Sequence, residues 1–79
     1  MMSVQAYILV QTDVGKSDEV ATAISAISGV MNAVHVTGPY DVIVRAEADS
    51  IDELAKVVLT KVQKVAGITR TLTCPIVNL

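Results

Sequence analysis

The chain has 79 residues, 52% of them hydrophobic, with six lysines and arginines against eight aspartates and glutamates for a net charge of −2. One cysteine and one histidine exclude an intrachain disulfide and fall short of an ordinary structural zinc site. The basic residues, at positions 16, 45, 56, 61, 64 and 70, are scattered, and Trp and Phe are absent, so neither the basic footprint nor the stacking platforms of a nucleic-acid binder are present.

The length fits one domain, residues 1–79, with a thin stability margin, because a chain this small hides only about 60% of the surface its unfolded form exposes. Burying more surface by oligomerising is the remedy still open to it, and the high hydrophobic fraction suits that remedy. No apolar run approaches the roughly 20 residues that span a bilayer. The N-terminus also lacks the charged and apolar regions of a secretory signal. A cytoplasmic, reducing setting is the expectation.

Val4 to Thr12 alternates, predicting a strand with Val4, Ala6, Ile8 and Val10 on one face and Gln5, Tyr7, Leu9 and Gln11 on the other. Asp13-Val14-Gly15 breaks it. Ser17 is placed to cap a helix, followed by Asp18 and Glu19, whose charges suit its positive end. Val20, Ala23, Ile24 and Ile27 recur at three- and four-residue spacing as one buried stripe, and Gly29 is placed to end the helix. Val30 to Thr37 reads as a second strand, Gly38-Pro39 as a turn, and Asp41 to Ala46 as a third strand closing a hairpin.

Ser50-Ile51-Asp52-Glu53 is a capping box, in which the serine oxygen accepts from the Glu53 amide while the Glu53 side chain reaches back. The helix it opens is expected to bury Ile51, Leu54, Ala55, Val58, Leu59, Val62 and Val65. Gly67 stops it, and Ile68 to Ile76 predicts a fourth strand whose Pro75 belongs near an edge or an end. The order is βαββαβ. Two interleaved right-handed βαβ units give an α+β, ferredoxin-like sandwich with an antiparallel sheet in the order 4-1-3-2 and both helices on one face.

Helices cover only one side of such a sheet. The other carries Tyr7 and Leu9 together with either Ala33 and His35 or Val34 and Val36, depending on register. Large apolar groups beside polar ones mark an interface, so dimerisation through the sheet is expected.

The topology sends the end of strand one, the starts of strands three and four and the start of the first helix to one rim. Thr37 to Asp41, Gln11 to Asp13 and Thr69 to Thr71 should converge there as a set of polar groups able to hold a small ligand. Gly38 permits close backbone approach, Tyr40 offers a flat body with a hydroxyl tip, and Asp41 can accept from an ammonium group. An amino acid would match. Taken by themselves, the same residues read first as hairpin chemistry: Gly-Pro turns the chain, Tyr40 packs on the rim and Asp41 caps turn amides.

His35 has no second ligand or paired carboxylate near it in sequence and reads as a strand-face histidine. Cys74, late in an apolar strand and without a CxxC partner, reads as a small core hydrophobe. Asp49 and Asp52 are absorbed by the capping box. No phosphate loop, nucleophile elbow or metal motif occurs, so no catalytic residue, cofactor or metal is assigned.

The runs Ser28-Gly29-Val30, Val36-Thr37-Gly38-Pro39-Tyr40-Asp41-Val42 and Ala66-Gly67-Ile68-Thr69-Arg70-Thr71 resemble the effector-binding (RAM) domain of the Lrp/AsnC, or feast/famine, transcriptional regulators. In that domain a helix ends in a GV strand start, a TGxYD hairpin follows, and a second GV precedes a TxT strand. The resemblance covers essentially the whole chain. It implies a domain that dimerises through its sheet, dimers assembled into rings that are commonly octamers, and an amino acid or related small effector held between dimers. Its recognition elements map onto Thr37, Gly38, Tyr40 and Asp41, with Thr71 and Thr73 on the last strand, and raise the rim site above plain hairpin chemistry.

Two departures stand out. Full-length regulators carry an N-terminal helix-turn-helix domain, whereas this sequence begins at the first strand, so the expectation is a stand-alone effector domain that assembles with full-length regulators and does not contact DNA directly. Pro39 fills the variable position of the turn and removes one amide donor. The rival readings are a small dimeric ferredoxin-like enzyme of oxygenase or isomerase type, and an assembly module without a ligand. The first needs a polar pocket between sheet and helices, where this sequence is aliphatic.

Overall fold

β1 runs from Val4 to Thr12, β2 from Val30 to His35, β3 from Val42 to Ala48 and β4 from Ile68 to Pro75 in the computed structural model, which describes residues 3–77. Between them lie α1, Ser17–Ser25, and a second helix, α2, over residues 51–63. The strands form one antiparallel sheet in the order β2-β3-β1-β4, the expected ferredoxin-like arrangement read from its other edge.

The alternation of β1 decides which face is buried. Ala6, Ile8 and Val10 pair with Ala46, Val44 and Val42 of β3, and all six are fully buried. Val20, Ala21 and Ile24 of α1 and Leu54, Val58 and Val62 of α2 close over them as one cluster, so both helices lie on this face. The core holds no buried polar side chain among the described residues. Short β-branched residues fill it, which suits a pleated surface packed at close range.

The helices differ from expectation in detail. Lys16, not Ser17, occupies the cap position of α1, and no side chain bonds there. The cause is the tight turn at Gly15 (φ 78°), after which the Lys16 carbonyl already accepts from the Val20 amide at 2.9 Å. Helix α1 ends at Ser25, and Gly29 (φ 96°) instead turns the chain into β2. Its carbonyl accepts the Glu47 amide at 2.7 Å. Ala21 takes the buried place expected of Ala23, which is exposed.

In α2 the Ser50 hydroxyl accepts the Glu53 amide at 3.1 Å, the serine half of the expected capping box; the Glu53 side chain makes no return bond among the described residues. The centre of this helix, Leu54–Leu59, is π-helical between α-helical pieces Ile51–Glu53 and Thr60–Gln63. The buried residues Leu54, Val58 and Val62 are four apart. Such an i, i+4, i+8 set is an ordinary buried helix face, whereas Ile51, 54% exposed, and Ala55 face solvent and leave the expected stripe.

The uncovered face is also settled by register. Leu72, Leu9, Ile43 and Val34 are successive cross-strand partners and form an aliphatic row spanning all four strands. The adjoining row is Cys74, Tyr7, Arg45 and Asn32. Of the two registers compatible with the sequence, the one with Val34 on the open face is therefore realised, although Val36 lies beyond the end of β2. His35 pairs with Val42 on the helix side, with Nε2 3.9 Å from Asp18 of α1. Cys74 corrects the sequence reading. It is exposed on the open face, because β4 turns Thr71 and Thr73 toward the helices and leaves Leu72 and Cys74 opposite Leu9 and Tyr7.

Candidate functional site

The rim foreseen from topology is assembled by four hydrogen bonds. The hairpin from β2 to β3 closes with the Val36 amide on the Asp41 carbonyl at 2.8 Å. The Asp41 amide then bonds to the Val10 carbonyl at 2.9 Å, and its carboxylate Oδ2 accepts the Thr12 amide at 2.8 Å. From β1, the Gln11 side-chain amide donates to the Pro39 carbonyl at 3.1 Å. The turn is thus fastened to the end of β1 from both sides of Asp41.

The same strand end is tied to β4. Gln11 pairs with Arg70 and Thr12 with Ile68 across a register shift, and the Asp13 amide bonds to the Gly67 carbonyl at 2.8 Å. Gln11 to Asp13, the turn and the start of β4 share one rim, as the strand directions require.

Within the turn, Thr37, Gly38 and Pro39 are exposed while Tyr40 and Asp41 are half-buried. Gly38 has open space where a side chain would begin, so its backbone is accessible. Asp41 has one oxygen committed to the Thr12 amide, which combines the turn-capping role with a remaining oxygen for another donor. Thr71 pairs with Val10 and reaches the rim from the far side of β1, two strand spacings or about 10 Å from the turn. Thr73 pairs with Ile8, one inward-facing position further from the rim. The fold brings Thr37, Gly38, Tyr40 and Asp41 together, with Gln11 and Thr12 beside them; Thr71 and Thr73 form a second group on the neighbouring edge.

The sequence places Gln11 in the segment converging on the rim, and the structure adds its bond to the Pro39 carbonyl. Its role follows from the antiparallel pairing of β1 with β3, which sets its side chain beside the turn only once the register is fixed. A shallow hollow also lies at the opposite end of the sheet, lined by Gly29, Glu47, Asp49, Glu53, Val57 and Val58 among others. It is distinct from the rim.

A ferredoxin-like sheet with one covered face, one open face and a fastened polar turn at the rim is a scaffold that hosts many unrelated functions, so the fold alone assigns none. Comparison with known proteins narrows the class. The family model of the Lrp/AsnC ligand binding domain matches residues 5–78, and the chain belongs to that family. A helix-turn-helix-type transcriptional regulator of Pyrococcus furiosus, itself uncharacterised, is 33% identical over 55 residues, covering 70% of this chain and 37% of the regulator. Among solved structures, a hypothetical protein of Pyrococcus horikoshii superposes with a TM-score of 0.85 at 34% identity over 96% of this chain and 92% of that one. A transcriptional regulator of Neisseria meningitidis, solved as a complex with L-Met, shares the fold with a TM-score of 0.80 at 18% identity, over 95% of this chain and 50% of the regulator. The chain therefore spans about half or less of the regulators it matches.

Proposed function

We propose that this chain is an effector-sensing and assembly domain that takes an amino acid or a related small molecule at the Thr37–Asp41 rim. The observation that carries the reading is the fastening of that turn to β1 through Asp41 and Gln11. A turn tied to β1 at Pro39 and Asp41 sets an ammonium acceptor beside an exposed glycine backbone and an aromatic flank, which lowers the ordering cost of binding. The family's description as a ligand-binding domain and the L-Met complex of the Neisseria neighbour point to the same class of ligand.

The open sheet face is the assembly surface in this reading. It pairs two copies, and a second contact at the rim joins pairs into a ring of octamer type that completes the site. The cellular role that follows is cytoplasmic: the domain modulates transcription by co-assembling with full-length Lrp/AsnC regulators rather than by touching DNA, which agrees with its net charge of −2 and scattered basic residues. No helix is long and apolar enough to cross a membrane among the described residues. A substrate pocket of the kind a ferredoxin-like enzyme would use, between sheet and helices, meets a space filled by Ile8, Val10, Val44 and Ile24, each fully buried.

The test combines a calorimetric screen of the twenty amino acids with the mass in solution, measured with and without each. Binding at millimolar concentration or tighter, linked to a change in oligomeric mass, is the expected result. An oligomer that binds none of them would leave an assembly module and end the sensing half of the reading.

A further inference from the structure

The end of β1 lies between an acid and a base. Val10 pairs with Val42 of β3 on one side and with Thr71 of β4 on the other. One residue nearer the rim, Gln11 has Asp41, which immediately precedes Val42, on its β3 side and Arg70, its cross-strand partner, on its β4 side. Gln11 alternates with the buried Val10, so it and Arg70 emerge together on the open face. Asp41 and Arg70 thus stand about two strand spacings, or roughly 10 Å, apart along the backbone.

These two charges are not spent on each other. Arg70 is exposed and enters no ion pair among the described residues. Asp41 uses one carboxylate oxygen on the Thr12 amide and keeps the other. Gln11, between them, commits its side-chain amide to the Pro39 carbonyl, which draws it toward the turn and not toward Arg70.

The turn by itself is poor in donors for an anion. Its Asp41 amide is spent on the Val10 carbonyl, and Pro39 has no N–H. The run of successive amides that cradles an anion is therefore broken at its middle. A carboxylate at this rim needs a donor from outside the turn. An arginine supplies a permanent charge and a planar fork that matches a carboxylate in two parallel hydrogen bonds. Its long side chain spans much of the gap to Asp41, and an α-amino acid, with ammonium and carboxylate on one carbon, fits across the rest.

We infer that Arg70 takes the carboxylate of an α-amino acid whose ammonium group is held by the free oxygen of Asp41. Arg70 is then a specificity-determining residue, and the rim selects a zwitterion with both groups unblocked. This rests on the proposed sensing of an amino acid at the rim, and adds the residue and the chemistry that the turn does not contain. An amine without a carboxylate leaves the guanidinium unused, and an ester offers it no anion.

The test is calorimetry on the full chain in its native oligomer. Each of the twenty L-amino acids, and the methyl ester of every one that binds, is titrated into wild type and Arg70→Gln. Amino acids that bind the wild type should bind Arg70→Gln at least about tenfold more weakly, the scale of a charge-assisted hydrogen bond. In the wild type each ester should bind at least about tenfold more weakly than its free acid. In Arg70→Gln that ester penalty should disappear, which a merely structural role of Arg70 would not bring about. Unchanged affinity in Arg70→Gln, or an ester penalty of the same size in both proteins, would overturn the inference. So would a fall in oligomeric mass with the ester penalty intact, which would assign Arg70 to assembly. Failure of the underlying reading looks different: a wild-type oligomer that binds none of the twenty ends both.

Discussion

Asp41 Oδ2 accepts the backbone amide of Thr12 at 2.8 Å, joining the end of the β2–β3 turn to the last residue of β1. The bond gives one carboxylate two separable jobs: an acceptor for the backbone and a negative charge at the rim. Asp41→Asn keeps an acceptor oxygen and removes the charge, whereas Asp41→Ala removes both. The alanine variant should lose about 1–3 kcal/mol of stability in urea denaturation because the Thr12 amide is orphaned, and the asparagine variant less than about 1 kcal/mol. Both should lose binding of an amino acid's ammonium group in calorimetry. Retained affinity in Asp41→Asn would confine Asp41 to holding the turn.

Pro39 gives the second prediction. Its carbonyl accepts from the Gln11 side chain at 3.1 Å, but its nitrogen carries no hydrogen to offer an anion. If the turn binds a carboxylate through its amides, Pro39→Ala restores one donor and should tighten binding by about 1 kcal/mol, near fivefold. The loss of proline's restraint on the unfolded chain should cost roughly 0.4–1 kcal/mol of stability. Calorimetry and denaturation on the same variant separate the two effects. Unchanged affinity would place the carboxylate of the ligand away from this turn.

How much of this was legible in the sequence depends on the range of the interaction that fixes each feature. The period-two pattern of Val4 to Val10 and the Ser50 cap are local, and both appear where expected. Strand directions follow from the connections, so the convergence of Gln11, Thr12 and the turn could be foreseen. Features that depend on register could not. The choice of Val34 for the open face and the exposure of Cys74 rest on pairings such as Val34 with Ile43 and Cys74 with Tyr7. The π segment at Leu54–Leu59 in α2 has no signal in the sequence pattern, because the spacing of Leu54, Val58 and Val62 is that of a regular helix face. The rim as a place, Gln11 included, was therefore readable, whereas the bond by which Gln11 holds the Pro39 carbonyl was not.

Gly29 shows the same dependence on packing in a form that mutation can measure. It lies at φ 96°, and a Cβ there would stand 2.8 Å from Val58 Cγ2 of α2 and 3.1 Å from the Glu47 carbonyl oxygen. Two penalties coincide: a left-handed backbone, and a clash between β2's entry and the helix above it. Gly29→Ala should cost at least about 1–3 kcal/mol, enough to take much of a small domain's stability. Gly15, at φ 78° with nothing within 4 Å, bears only the backbone penalty, about 1 kcal/mol for alanine. Thermal or urea denaturation of the pair should rank them in that order. Equal losses would mean that Val58 yields freely and that the contact between α2 and the hairpin entry is loose.

The aliphatic row on the open face supplies the last prediction, because it separates folding from assembly. Leu9 lies on a central strand between Leu72 and Ile43 and is only half-buried within one chain, while its neighbours Ala6, Ile8 and Val10 are fully buried. A charge at Leu9 therefore leaves the core intact but meets a desolvated surface in any sheet-face dimer. Leu9→Glu should weaken association by at least about 2 kcal/mol, or some thirtyfold, the loss typical of a central interface residue. The monomer's far-ultraviolet circular dichroism should be unchanged. Cys74, two residues beyond Leu72 on the same face, reports the event chemically. Its thiol should react slowly with a chromogenic disulfide in the wild-type dimer and rapidly in Leu9→Glu. A variant that stays dimeric with a protected thiol would show that the row is not the surface through which copies meet.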